Sequence, residues 1–105
     1  MADGDGTVNE DYSIFIYGAE RLPVGLDVLE DDIFDRIEGQ GDVTGTGTGE
    51  RGWNIDLGFE SLSSLKFVVR ESKKVLQRYG VVNSVIFDIN GTRYRFSELE
   101  SKLGL

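Results

Sequence analysis

Cysteine and histidine are both absent from this 105-residue chain, and proline and tryptophan occur once each. Without cysteine no disulfide can form. Without either residue, zinc, copper and iron–sulfur centres lose their usual ligands. Ser-His-Asp and Cys-His catalysis are excluded for the same reason. No apolar run approaches the ~20 residues of a membrane span. Residues 1–11 carry four carboxylates and no cation, the opposite of a secretory signal. These absences predict a disulfide-free, cytoplasmic domain with no metal and no cofactor.

What the chain does have is a divided charge. Through Glu60, fifteen Asp and Glu stand against three arginines, a net of −12; from Ser61 onward, eight Lys and Arg stand against four carboxylates, a net of +4. The total of −8 and a pI near 4.4 predict high solubility and little non-specific affinity for nucleic acid or anionic lipid, both of which need a concentrated positive face. Long-range attraction should favour a basic partner. Length and a 39% hydrophobic fraction suit one packed domain, assigned to residues 12–105 behind an acidic, flexible tail at residues 1–11.

Periodicity divides this domain into elements. Residues 12–17 (YSIFIY) read as a strand buried on both faces, because Ile14, Phe15 and Ile16 run together. Asp27 is placed as a helix N-cap, with Glu30 completing a capping box. Leu29, Ile33 and Ile37 then form one apolar stripe, and Gly39 ends the helix. Residues 39–52 hold six glycines, with at most a weak strand at Asp42, Val43 and Thr44. Trp53, Ile55, Leu57 and Phe59 alternate with polar or small residues as a half-buried strand.

Ser61 is expected to cap a longer helix that buries Leu62, Leu65, Val69 and Leu76. Its solvent face would carry Lys66, Arg70, Lys73, Lys74 and Arg78, and Gly80 would end it. Asn90-Gly91 between two β-rich runs, at residues 81–89 and 92–96, signals a two-residue hairpin with Phe87 opposite Tyr94. Ser97 would cap a last short helix, with Glu100 in the capping-box position. The order predicts an α+β, ferredoxin-like βαββαβ antiparallel sheet with two helices on one face, extended by the C-terminal hairpin and short helix. Such an architecture carries no function by itself.

Candidate chemistry is sparse. Gly47-Thr48-Gly49-Glu50-Arg51-Gly52 has the spacing of a dinucleotide fingerprint, but the strand at Trp53 follows where a helix is needed. No lysine occurs before Lys66, so no Walker loop is present. A mobile glycine-rich loop over residues 45–51 is the expectation. Asp3 and Asp5 resemble the middle of a calcium loop, but Met1 and Tyr12 occupy two of its strongest ligand places. No carboxylate pair suited to glycoside hydrolysis stands out, so the chain is read as a non-enzyme.

The acids of the first helix can pair with the cations of the second, but the count leaves an excess. The first functional expectation is therefore an acidic protein-binding domain, in its most concrete form an inhibitor or immunity-type protein that covers a basic partner. Glu30, Asp31, Asp32, Asp35 and Glu38 are the candidate contact residues, with Trp53 an aromatic anchor if its ring is exposed. The alternative is a small-molecule-binding regulatory domain that forms a homodimer through its sheet, with a pocket lined by Phe15, Tyr17, Trp53 or Tyr94.

Overall fold

Asn90 and Gly91 both take positive φ, 50° and 94°, the conformation that a two-residue hairpin of this handedness requires. The register follows as the turn dictates, with Phe87 opposite Tyr94 and Asp88 opposite Arg93. The computed structural model describes residues 12–105. The proposed tail and the calcium-loop resemblance at residues 1–11 lie outside the described residues.

The elements are β1 (Tyr12–Gly18), α1 (Leu26–Ile37), β2 (Asp42–Gly49), β3 (Gly52–Phe59), α2 (Leu62–Arg78), β4 (Ile86–Ile89), β5 (Thr92–Arg95), a 3₁₀ turn (Phe96–Glu98) and α3 (Leu99–Leu103). The five strands form one sheet in the order β2-β3-β1-β4-β5, antiparallel at every neighbouring pair. The described chain is thus α+β, a five-stranded antiparallel sheet with three helices.

Alternation along β1 and β3 builds the core. Ile14, Ile16, Ile55 and Leu57 are fully buried, with Leu29, Ile33 and Ile37 of α1 and Val68, Val69, Val75 and Leu76 of α2. Burying this contiguous apolar surface is the main stabilising term of the domain. α2 starts as its sequence dictates, with the Ser61 Oγ accepting the Ser63 N–H at 3.1 Å.

Several expectations fail for local reasons. β1 is not buried on both faces: Ile14 and Ile16 point into the core, while Phe15 is half-buried and Tyr17 is 38% exposed on the opposite face. A run of three apolar residues cannot show which face is covered. α1 begins one residue before Asp27, with Gly25 as its cap. The Asp27 side chain folds back over Gly25, where a Cβ would lie 2.4 Å from its Oδ1. Asp27 instead places a carboxylate in the first turn, where the helix dipole favours it.

Leu62 lies at the open N-terminal end of α2 and is 58% exposed, and Leu65 is only half-buried. Lys73, expected in solvent, is 6% exposed. Its stem lies under the C-terminal segment, and its ammonium meets Glu100 Oε2 at 3.2 Å and sits 5.2 Å from the centre of the Phe96 ring. Residues 81–85 do not extend β4, although Val81 and Val85 are buried. Ser97 caps nothing; the Glu98 carboxylate accepts the Arg95 N–H at 2.9 Å.

The largest departure is the glycine segment. Residues 45–49, expected as a mobile loop, belong to β2, an eight-residue edge strand paired along its length with β3 and bulged between Val43 and Gly45. Backbone hydrogen bonds need no side chain, so the ladder supplies what the composition could not signal. Val43, Thr46 and Thr48 fall on the register face of Ile55 and Leu57, toward the helices, while Gly45, Gly47 and Gly49 fall on the opposite face. Gly52, after the turn at Glu50 and Arg51, has φ +142°, and a Cβ there would lie 2.0 Å from the Gly18 carbonyl oxygen.

Candidate protein-binding surface

A helix packed through Leu29, Ile33 and Ile37 must turn its remaining side chains toward its flanks or outward. On α1 this sorts the carboxylates three ways. Glu30 leans toward β2, where its Oε1 accepts the Thr46 hydroxyl at 3.5 Å. Asp32 faces α2: its Oδ2 accepts the Tyr79 hydroxyl at 2.6 Å and lies 3.8 Å from the Arg78 guanidinium. Asp31, Asp35 and Glu38 are exposed, and none is hydrogen-bonded or ion-paired among the described residues. The sequence-derived set therefore separates into three outward carboxylates and two that serve the fold's own contacts.

Trp53 does not join them. It is 6% exposed, its indole N–H donates to the Glu20 carbonyl at 3.1 Å, and its ring covers Gly18, where a Cβ would lie 2.1 Å from Cζ2. The condition for an aromatic anchor is not met. Two apolar side chains of α1 are displayed instead. Val28 is 38% and Phe34 39% exposed, among the same outward carboxylates. Both lie off the Leu29–Ile33–Ile37 stripe, and that was the available signal: an apolar residue away from the buried stripe is displayed.

The α1–α2 contact uses charges in both directions. Arg36 Nη1 bonds Glu71 Oε1 at 3.1 Å, so the acidic helix contributes the cation here, and Lys74 holds the other Glu71 oxygen at 3.1 Å. Burial pushes the Glu71 carboxyl up, but hydrogen bonds and charge from Lys74 and Arg36 outweigh it and hold it below the ordinary glutamate value. The hydrogen bond to Asp32 holds the Tyr79 hydroxyl above its ordinary value, with burial and the Asp32 charge acting the same way. These contacts tie α1 to α2 and leave the outward acids unneutralised.

Beside the C-terminal end of α1 lies an open cleft of about 590 Å³ whose lining includes Phe34, Glu38, Asp42, Glu60 and Ser64. Three carboxylates and one exposed aromatic ring thus border a concavity continuous with the outward strip. A second depression, of about 520 Å³, lies at the β2–β3 turn and touches Tyr17, Gly47, Gly49, Trp53 and Ser84. Neither Phe15 nor Tyr94 lines it.

No group of His, Cys, Asp and Glu suited to a metal ion occurs among the described residues, and no helix among them is long and apolar enough to cross a membrane. Comparison with protein-family models, with curated proteins and with solved structures gives no match.

Proposed function

We propose that the chain is a protein-binding domain on a ferredoxin-like core, presenting the outward face of α1 to a basic partner. The observation that carries this reading is the composition of that face. Asp31, Asp35 and Glu38 lie between two exposed apolar side chains, Val28 and Phe34, at its two edges, rather than forming a uniformly charged surface. Carboxylates raise the encounter rate with a cationic surface, and the apolar pair supplies area whose burial slows dissociation. The cleft beside Phe34, rimmed by Glu38, Asp42 and Glu60, suits an inserted Lys or Arg side chain. An inhibitor or immunity-type role is the most concrete form of this function, because covering a cationic catalytic surface requires these properties and no catalysis.

The core assignment is supported by the succession β1-α1-β2-β3-α2-β4 and by the β2-β3-β1-β4 neighbour order, with β5 and α3 as an extension.

The test is co-expression of the tagged chain with the products of genes flanking its coding sequence. The expected outcome is a basic protein that co-purifies with the native chain and is lost from the variant carrying Asp31→Lys, Phe34→Ala and Asp35→Lys. Equal recovery by both would place the contact elsewhere.

A further inference from the structure

Gly45, Gly47 and Gly49 occupy alternate positions of β2, so all three lie on the sheet face that the helices leave uncovered. None has a positive φ, so the backbone conformation does not require glycine at these places. In an edge strand, glycine forfeits side-chain packing and backbone entropy and marks either a bulge, as beside Gly45, or room for another group to approach closely, which Gly47 and Gly49 leave open. The effect here is a low strip along one margin of the open face, overhung only by Asn54 and Asp56. A Cβ at Gly47 would lie 3.0 Å from Asn54 Oδ1, one at Gly45 would lie 3.4 Å from Asp56 Oδ2, and one at Gly49 would meet nothing.

The opposite margin is built the other way. Arg93 and Arg95 of β5 stand on the same open face, opposite Asp88 and Ile86 in register. The Arg93 side chain is 72% exposed, 3.5 Å from Asp88 and 5.8 Å from the centre of the Tyr17 ring. Between the margins, β1 is the middle strand of the five and contributes Phe15 and Tyr17, whose rings lie 6.4 Å apart. The face therefore runs from low and acidic, through aromatic, to tall and basic.

We propose that this face binds a second copy of the chain about a two-fold axis parallel to β1. Rotation about that axis lays the β5 of one copy over the β2 of the other. Arg93 then falls above Gly45 beside Asp56, and Arg95 above Gly47 beside Asn54, while Phe15 and Tyr17 meet their own equivalents at the centre. Both height and charge are complementary in this arrangement. An axis across the strands instead sets arginine against arginine and glycine against glycine, leaving a like-charge contact on one side and a void on the other. The acidic strip of α1, on the helical side, stays exposed in both copies. The face measures roughly 400 Å² in projection, from strand spacing and rise, which is small for a permanent dimer and implies reversible association.

The test is sedimentation of the full chain from ~10 µM to ~1 mM, with cross-linking of single-cysteine variants by a short bis-maleimide. The chain has no cysteine of its own, so each label is unique. Expected is a monomer–dimer equilibrium that Arg93→Glu with Arg95→Glu weakens at least ~tenfold. Gly47→Arg should do the same, with Gly49→Arg as the second variant should Gly47→Arg lose its native circular dichroism. Phe15→Cys should cross-link to itself, and Gly45→Cys should cross-link to Arg93→Cys in a mixture of the two. A chain monomeric at ~1 mM overturns the proposal. So does a dimer indifferent to these substitutions, as pairing between β2 edges would be, and so does preferential cross-linking of Arg93→Cys to itself.

Discussion

The Tyr79 hydroxyl donates to Asp32 Oδ2 at 2.6 Å, joining the C-terminal cap of α2 to the middle of α1 across 47 residues of chain. This bond decides which acid of the adjacent pair Asp31 and Asp32 is available to a partner. It also sets a pH dependence. The folded-state pKa of Tyr79 is raised above 10.0, chiefly by the bond to Asp32. Its contribution to stability is therefore complete below that ordinary value and is lost as pH rises through the folded value. Ultraviolet titration should show a tyrosine step displaced to high pH, and Tyr79→Phe should remove that late step and lower the denaturation midpoint. A late step that survives Tyr79→Phe would contradict the assignment.

Glu71 gives the opposite sign at the acid end. Its folded-state pKa is depressed below 4.5 because Lys74 and Arg36 outweigh the burial that would raise it. The contribution is present above the ordinary value and is lost as pH falls through the depressed one. Glu71→Gln should therefore lower stability near neutrality and shrink the loss on acidification, measured by urea denaturation across that range. A native-like acid limb in the variant would mean that the α1–α2 ion pair does not form in solution.

The core face of α2 is centred on fully buried Leu76 rather than on Leu62, which is 58% exposed. Leu76→Ala should cost about 2–5 kcal/mol, and Leu62→Ala less than about 0.5 kcal/mol. Comparable denaturation midpoints for the two variants would mean that the face has been misassigned.

Glycines of β2 and β3 differ sharply in what they tolerate. At Gly52 the φ of +142° and the Gly18 carbonyl 2.0 Å from an added Cβ make alanine a collision with main chain. Gly52→Ala should cost more than about 2 kcal/mol. Gly49→Ala, with open space and ordinary φ, should be neutral or stabilise by up to about 1 kcal/mol. Thermal unfolding of the two proteins distinguishes them, and a tolerated Gly52→Ala would contradict the close approach of β1 to the β2–β3 turn.

Side-chain chemistry made some elements legible and left others hidden. Asn90-Gly91 specified both its turn and its register, because few residue pairs accept positive φ twice. Ser61 and Gly80 bounded α2 for equally local reasons. The glycines of β2 carried no apolar alternation, so a strand held by its backbone ladder looked like a loop. Burial of Lys73 depends on where the C-terminal segment lies, which no local pattern encodes. Within the candidate site, acidity was visible, but the division of labour was not. Adjacent residues on a helix are ~100° apart, and only the position of Tyr79 shows that Asp32 is engaged while Asp31 is displayed.

In the proposed function, Asp31, Asp35 and Glu38, together with Val28 and Phe34, form the surface that meets a basic partner. The most direct measurement is the association rate constant with the co-purified basic partner as ionic strength is raised. For the native chain the rate should fall steeply with salt, by at least ~tenfold between low and physiological ionic strength. Asp31→Lys with Asp35→Lys and Glu38→Lys should slow association and flatten that dependence, whereas Phe34→Ala should mainly hasten dissociation. A rate independent of salt, or one unchanged by reversal of the three charges, would contradict it.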